Sequence, residues 1–290
     1  MAKLADESRF SRIGYGALSL TQTSDRAECL AILQLLVDKK TAFIDTTNVY
    51  GFRYSEELIG ECLRQNTRNR TKISLCKKFE FNSANPFVVC GKPEYVKEYC
   101  DTSLKRFGVD CIDPYYKHRV DPDTPIENTV TAMAELVKKG KIRYIGLCEA
   151  SVQSIRRAHK VHPIAPAPVE YSPWSTDLKT NRILDTCKDL ELSFLANRKR
   201  ILDGKYKTLD DFAPDGSRKV LQRFQEPAFA HNVETLKEIA DAKKYTVAQL
   251  RLAWVCAQAP HLVAIQIRGE LGAFNVVILS KYFEVHYYCR

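Results

Sequence analysis

The chain has 290 residues, of which 45% are hydrophobic and 27% charged, and its 44 Lys and Arg against 35 Asp and Glu give a formal net charge of +9. These values are typical of a soluble globular protein with a large core and argue against a fibrous or low-complexity chain. No apolar run approaches the ~18 residues of a membrane span. The first residues, MAKLADESRF, lack the apolar centre of a secretory signal, so we expect a cytoplasmic protein with no membrane partner.

Short apolar runs alternate along the chain with longer segments of helical periodicity. The runs predict eight strands: IGYGALSL from Ile13, TAFIDTT from Thr41, KISLCKK from Lys72, CIDPYYKH from Cys111, IRYIGLC from Ile142, PVEYS from Pro168, LSFLA from Leu192 and VAIQI from Val263. Strands that alternate with helices at intervals of roughly 25–40 residues are typical of a (β/α)8 barrel. We therefore expect an α/β fold, a TIM barrel, that covers residues 1–290 as a single domain. The absence of G-x-G-x-x-G after a strand argues against a Rossmann fold.

Several helix ends carry recognisable signals. Ser55 is placed to cap the helix of SEELIGECLRQ, and Pro125 is placed at the first helical position after a Thr124 cap. Gly108 and Gly140 stand where glycine commonly ends a helix. A long irregular stretch is expected from about Asp203 to His231, ahead of the last helices.

The surplus of basic residues has three interpretations. A charge of +9 fits a solvated basic surface, attraction of an anionic ligand such as a phosphorylated cofactor, or nucleic-acid binding. The basic stretches RNRTK at 68–72 and NRKR at 197–200 are short and lack interleaved aromatic residues, so we expect no nucleic-acid partner. The ten cysteines are scattered, and no Cys/His spacing fits zinc, so we expect reduced thiols and no metal.

Polar residues end four of the predicted strands or follow them closely. In an α/β barrel the carboxyl ends of the strands meet at one mouth, so these residues would converge. Taken singly, each has an ordinary structural role, such as capping a turn or lying on the surface. Together they can deliver a proton to a carbonyl oxygen, because an ammonium beside a tyrosine lowers the phenol pKa from its usual ~10. The residues are Asp45, Tyr50, Lys78 and His118, with Arg119 next to His118 and Cys148-Glu149 ending the fifth strand.

At these residues the sequence resembles the aldo-keto reductases. The similarity lies in FIDTTNVYG from Phe43, in SEELIG, in the lysine that ends the third strand and in YYKHRVDPDTPIE from Tyr115. GKIRYIGLCEASVQSIRRAHKVHPI from Gly140 is especially similar to a branch that includes pyridoxal reductases and related aldehyde and ketone reductases. The resemblance runs from about Ile13 to Gln258.

The resemblance implies an oxidoreductase acting on CH–OH groups, which uses NADPH to reduce an aldehyde or ketone as its small-molecule substrate. By position, Asp45, Tyr50, Lys78 and His118 match the family's catalytic tetrad, with Tyr50 as general acid. The positions of Asp45, Cys148 and Glu149 correspond to cofactor contacts. Which carbonyl compound is reduced, and in which oligomeric state, does not follow from the sequence.

The second half departs from the family pattern. Cys148 replaces a serine and Pro168 a glutamine, both of which contact the nicotinamide carboxamide in the family, and Asn197 replaces a tyrosine that stacks on the nicotinamide. The tail after Arg268 is β-branched and aromatic, which predicts an incomplete or atypical C-terminal end without the eighth helix. Three explanations stay open: an incorrect gene sequence around Asn197 and after Ile267, weak NADPH binding with slow turnover, or a catalytically impaired barrel that acts as a binding or regulatory module.

Overall fold

Eight parallel strands form one sheet in the computed structural model. The model describes residues 13–38, 43–65, 67–79, 89–165, 167–171, 180–190, 194–197, 228–258 and 262–266. In chain order the strands β1 to β8 are Ile13–Gly16, Phe43–Thr47, Ser74–Phe79, Ile112–Lys117, Ile142–Leu147, Ala167–Glu170, Phe194–Asn197 and Leu262–Gln266.

The helices lie between successive strands. In chain order α1 to α8 are Arg26–Asp38, Tyr54–Gln65, Pro93–Phe107, Ile126–Lys138, Val152–Val161, Ile183–Asp189, Ala228–Ala242 and Val247–Gln258. One helix follows each of β1 to β6, and α7 and α8 lie between β7 and β8. Three short 3-10 turns cover Ala17–Ser19, Tyr50–Arg53 and Thr67–Lys72.

The sheet closes into a barrel. Its strand order is β5-β4-β3-β2-β1-β8-β7-β6. The two outer strands are joined where Ile145 of β5 bridges Ile164 in parallel and the Ala165 amide donates to the Ile145 carbonyl at 2.5 Å. This arrangement confirms the predicted (β/α)8 fold. The predicted atypical end after Arg268 lies outside the described residues.

The barrel strands are buried on both faces because helices cover the outside and side chains fill the interior. Every residue of β2, β3 and β4 is buried, polar residues included. The covering helices show the matching periodicity: α1 buries Cys29, Ile32, Leu33, Leu36 and Val37, which recur at the spacing of one helix face. Burial on both faces is characteristic of parallel sheets.

Two predicted helix caps are confirmed and two are wrong. Gly108 ends α3 in the left-handed conformation, at φ 67°, and Gly140 follows the end of α4 at φ 70°. Ser55 lies inside α2 and is buried, and its hydroxyl hydrogen-bonds the Thr46 hydroxyl at 2.8 Å instead of capping the helix. Pro125 is itself the cap residue of α4.

The Thr124 hydroxyl, expected to cap α4, donates instead to Asp121 at 2.8 Å. The end predicted for the irregular stretch, His231, is also wrong. Helix α7 already begins at Ala228, and residues 201–227 lie outside the described part of the chain.

A buried ion network fixes β3 against α2 and α3. Lys77 Nζ lies 2.9 Å from Glu56 Oε1, and Arg106 Nη1 lies 2.8 Å from Glu56 Oε2. The Lys77 and Glu56 side chains are fully buried. Because successive strand residues point to opposite faces, Lys77 facing the helices leaves Lys78 facing the barrel interior. The network therefore fixes the orientation of Lys78.

Eight cysteines whose side chains the structure describes carry free thiols, and of these all but Cys111 are buried. No helix in the described part of the chain has the length and apolar character needed to cross a membrane.

Candidate active site

Three of the predicted site residues form a hydrogen-bonded array. Lys78 Nζ donates to Asp45 Oδ2 at 2.5 Å and to the Tyr50 hydroxyl at 3.3 Å, and it lies 5.3 Å from the centre of the Tyr50 ring. Asp45 and Lys78 are each 1% exposed. The ammonium therefore bridges a carboxylate and a phenol in a site that excludes most water.

The array lies at the mouth of the barrel, meaning the end at which the strands finish and the turns after them begin. Asp45 and Lys78 are on the paired strands β2 and β3, where Thr47 is in register with Lys78. Tyr50 lies three residues after β2, at the start of the 3-10 turn Tyr50–Arg53. Neighbouring strands and one short turn thus bring together residues far apart in the sequence.

His118 and Cys148 are placed beside this array by backbone hydrogen bonds between adjacent strand ends. The His118 amide donates to the Phe79 carbonyl at 2.9 Å, directly after Lys78. The Cys148 amide donates to the Lys117 carbonyl at 2.8 Å. The ends of β2 to β5 therefore carry all six predicted site residues along one edge, with His118 half-buried.

The electrostatics keep both Lys78 and Tyr50 protonated. Burial acts to lower the pKa of Lys78, but Asp45, Tyr50 and Cys148 together outweigh it, with Asp45 contributing most, so this pKa is raised above its usual range. Burial raises the pKa of Tyr50, and the opposing effect of Lys78 is smaller. Lys78 lowers the pKa of Tyr50, as the sequence predicts, but burial of the phenol outweighs the ammonium, so the net shift of this pKa is upward and not downward. The phenol keeps the proton that a general acid needs.

Cys148 faces the barrel interior. It is 2% exposed and belongs to a buried cluster with Phe43, Cys76, Tyr116 and Ile265. Burial raises the pKa of Cys148, and the nearby Lys78 opposes this only in part. The thiol is therefore neutral and adds no negative charge beneath the mouth.

Glu149 is held at the mouth by an ion pair. Its Oε2 lies 2.5 Å from Arg119 Nη1, and both side chains are partly exposed. The Glu149 backbone adopts φ 46°, which is unusual for a residue other than glycine. The sequence placed Arg119 beside His118 without giving it a role. The ion pair could have been suspected because Arg119 and Glu149 each come shortly after a strand, and these strands, β4 and β5, are neighbours.

The described residues fit a nicotinamide cofactor at the positions that the sequence indicated. Asp45 Oδ1 is buried and has no hydrogen-bond donor within the described residues, so it can accept from a hydroxyl of a bound ligand. Glu149 offers a second acceptor at the mouth, and the neutral Cys148 thiol can lie beside an uncharged ring.

The other departures from the family pattern are only partly within the described residues. Pro168 lies in β6 and pairs with Leu195 of β7, and Asn197 ends β7 opposite Glu170. The segments that follow, residues 198–227 and 267–290, are outside the described residues.

Comparison with known proteins identifies the family and agrees with the fold. The sequence pattern of the aldo/keto reductase family matches residues 12–281. The chain therefore belongs to the aldo/keto reductase family. The match extends past Gln258, where the resemblance was expected to end.

Curated relatives are similar over most of their length. Aldo-keto reductase str7 of Strobilurus tenacellus is 40% identical over 276 residues, which are 89% of this chain and 80% of the relative. Aldo-keto reductase yakc [NADP(+)] of Schizosaccharomyces pombe is 36% identical over 269 residues, covering 87% of this chain and 78% of the relative.

A solved structure agrees with the barrel. A glycerol dehydrogenase of Gluconobacter oxydans superposes with a TM-score of 0.81 at 22% identity, covering 94% of this chain and 86% of that chain. At this identity the likeness concerns the fold alone.

Proposed function

We propose that this protein is an NADPH-dependent reductase of an aldehyde or ketone, with Tyr50 as the general acid. The observation that carries the proposal is the buried array in which Lys78 bridges Asp45 and the Tyr50 hydroxyl. Family membership supports it, as does the S. pombe relative, whose name includes NADP(+). Pyridoxal-like aldehydes are the first substrates to test, because the segment from Gly140 resembles the pyridoxal reductase branch.

Asp45, Cys148 and Glu149 would hold the nicotinamide end of NADPH, which supplies a hydride when bound. Asp45 would accept a hydrogen bond from the cofactor through its buried Oδ1. Glu149 would accept one at the mouth, where Arg119 offsets its charge. The segment after the eighth strand, where the family's phosphate-binding loop would lie, is outside the described residues.

The protein's own residues handle the proton. His118 orients the carbonyl oxygen toward Tyr50, and the Tyr50 hydroxyl gives its proton to that oxygen as the carbonyl carbon is reduced. Lys78 then stabilises the phenolate, because its ammonium already donates to the Tyr50 oxygen. Asp45 keeps Lys78 charged and in place. The product is an alcohol, whose hydroxyl proton comes from Tyr50.

The test is Tyr50→Phe, with Tyr54→Phe as the matched control on the same segment. We expect Tyr50→Phe to lose more than about 100-fold in kcat with unchanged NADPH affinity by fluorescence titration, because only the proton donor is removed. Tyr54→Phe should stay within about twofold of the unchanged protein, because Tyr54 packs against the core. Retained activity in Tyr50→Phe contradicts the role of Tyr50. NADPH binding without any carbonyl reduction by the unchanged protein would favour the alternative of a binding or regulatory module.

A further inference from the structure

The turn that carries Tyr50 has an unusual backbone. Gly51, Phe52 and Arg53 adopt φ values of 55°, 48° and 81°, so three consecutive residues lie in the region that favours glycine. Only the first of them is glycine. A bulky aromatic residue at positive φ is strained, and such strain is found mostly at functional sites.

The glycine in this turn is explained by close packing. A Cβ at Gly51 would lie 3.0 Å from the Leu20 carbonyl oxygen and 3.0 Å from the Thr21 Cα. The turn after β2 is therefore pressed against the segment after β1. At position 52 the strain falls on a phenylalanine, where glycine or asparagine would relieve it.

Phe52 differs from its aromatic neighbours in burial. Tyr50 and Tyr54 pack against the core, whereas Phe52 is 81% exposed. Leu18, in the 3-10 turn after β1, is also exposed, at 40%. The two adjoining turns at the mouth thus each carry an exposed large hydrophobic side chain. The strained Phe52 is the more exposed of the two.

We propose that Phe52 is a specificity-determining residue that contacts the apolar body of the carbonyl substrate. The proposal rests on the proposed function, because it takes Tyr50, two residues earlier, as the group that protonates the carbonyl oxygen. A carbonyl compound bound at Tyr50 extends outward across the mouth, where Phe52 supplies apolar surface. The favoured substrates are aldehydes or ketones with an aromatic or long aliphatic body. The backbone strain is retained because it presents the ring to the substrate.

The experiment compares two aldehydes with the same reacting group, propanal and octanal, in the intact protein with NADPH. We expect the ratio of kcat/KM for octanal to that for propanal to fall about tenfold in Phe52→Ala, because the longer chain loses its apolar contact. Propanal turnover should change less than about twofold. Ile239→Ala is the matched control, because Ile239 is a 41% exposed hydrophobic residue on α7. It should leave the ratio unchanged.

Phe52→Gly gives a second, independent measurement. This variant should melt at a higher temperature than Phe52→Ala, because glycine relieves the strain that alanine retains, and it should show the same loss of octanal preference. An unchanged octanal-to-propanal ratio in both variants, with propanal still reduced, overturns the role of Phe52 and leaves the proposed function standing. A change of oligomeric state on gel filtration with an unchanged ratio also overturns it, in favour of a self-association surface. Absence of reduction of any carbonyl by the unchanged protein contradicts the proposed function and this inference with it.

Discussion

The proton on Tyr50 is governed by two opposing effects at a single residue. Burial raises the pKa of the phenol above its ordinary 10.0, and the Lys78 ammonium lowers it by less. A general acid with a raised pKa keeps its proton through the neutral range. It loses the proton, and with it the ability to donate, only when the pH rises past that pKa.

The expected pH profile follows from the raised pKa of Tyr50. The kcat/KM for carbonyl reduction should stay constant from about pH 6 to about pH 9 and fall only at higher pH, provided that Tyr50 is the titrating acid. Steady-state rates at saturating NADPH measure this profile. A decline with an apparent pKa at or below about 8 would contradict the protonated, buried phenol.

Cys148 is the residue at which a small substitution should strengthen cofactor binding. A thiol is a weak hydrogen-bond partner, whereas a serine hydroxyl can both donate to and accept from a carboxamide. We expect Cys148→Ser to lower the Kd for NADPH by about threefold to tenfold, equivalent to about 0.7–1.4 kcal/mol. Fluorescence titration measures this change. Cys148→Ala serves as the control and should bind no more tightly than the unchanged protein, so equal tightening in both variants would exclude a hydrogen-bond effect.

At the scale of elements, the ion network of Glu56, Lys77 and Arg106 joins α2, β3 and α3. Lys77 and Glu56 are fully buried and Arg106 is partly buried, so removing the Glu56 charge leaves Lys77 without compensation. Burial lowers the pKa of Lys77 to about 8, and the Glu56 carboxylate limits this decrease. Without Glu56 the pKa of Lys77 falls further, while the unfolded chain keeps a lysine pKa of about 10.4.

Glu56→Gln should therefore destabilise the protein by about 3–5 kcal/mol near neutral pH. The unfolded state of the variant binds more protons than its folded state from below about pH 8 to about pH 10, so its stability rises with pH in that window. The unchanged protein gains stability in the same way only above about pH 8, where its own Lys77 loses the proton, so the deficit should be smaller at about pH 9 than at about pH 7. Urea denaturation at both pH values measures it.

Glu135→Gln is the control for this network. It removes the exposed pair with Lys97, whose nitrogen lies 2.7 Å from the Glu135 carboxylate. We expect a change below about 1 kcal/mol, because exposed ion pairs contribute little. A deficit in Glu56→Gln that grows with pH would contradict the assignment of Lys77 as the uncompensated charge.

Gly60, inside α2, and Gly140, just after α4, are favoured as glycines for different reasons. A Cβ at Gly60 of α2 would lie 2.2 Å from the Arg106 carbonyl oxygen of α3, whereas a Cβ at Gly140 would meet nothing within 4 Å. Gly60→Ala must push two helices apart and should cost about 1–3 kcal/mol or more. Gly140→Ala adds only the penalty of positive φ, about 1–2 kcal/mol, and Gly140→Asn should recover part of it. Thermal unfolding of the three variants measures these costs. An unchanged melting temperature in Gly60→Ala would contradict the close contact between α2 and α3.

Local periodicity predicted the elements well, and tertiary contacts account for the differences. The first predicted strand, IGYGALSL, is a strand only to Gly16, because the chain turns at Ala17–Ser19 to form the mouth. The position of Ser55 in the sequence predicts a helix cap, but its hydroxyl instead hydrogen-bonds Thr46 of β2. Asp45, Tyr50, Lys78 and His118 could be predicted to lie near one mouth because each lies near the end of a strand or shortly after one. The pairing of Arg119 with Glu149 could not, because it depends on which side chains meet across β4 and β5.

At the scale of the whole molecule, the number of backbone pairs between neighbouring strands differs around the barrel. Strands β2 and β3 share five registered pairs from Phe43 to Thr47. Within the described residues, β5 and β6 are joined by one bridge, Ile145 with Ile164, before β6 begins at Ala167. A junction with few inter-strand hydrogen bonds opens at lower free energy than one with a full ladder. The β5–β6 junction is thus the expected weak point of the closed sheet.

Amide hydrogen exchange should reveal this weak point directly. We expect amides of β6, Ala167–Glu170, to exchange at least about tenfold faster than amides of β3, Ser74–Phe79, because β3 is paired on both sides and β6 is paired along its length only with β7. Exchange measured by mass spectrometry on peptides that cover the two strands gives the comparison. The paired and fully buried strand β4, Ile112–Lys117, is the internal control and should match β3. Equal protection of β6 and β3 would mean that the barrel opens only by global unfolding. It would contradict a weak junction beside β5, the strand that Cys148 and Glu149 follow.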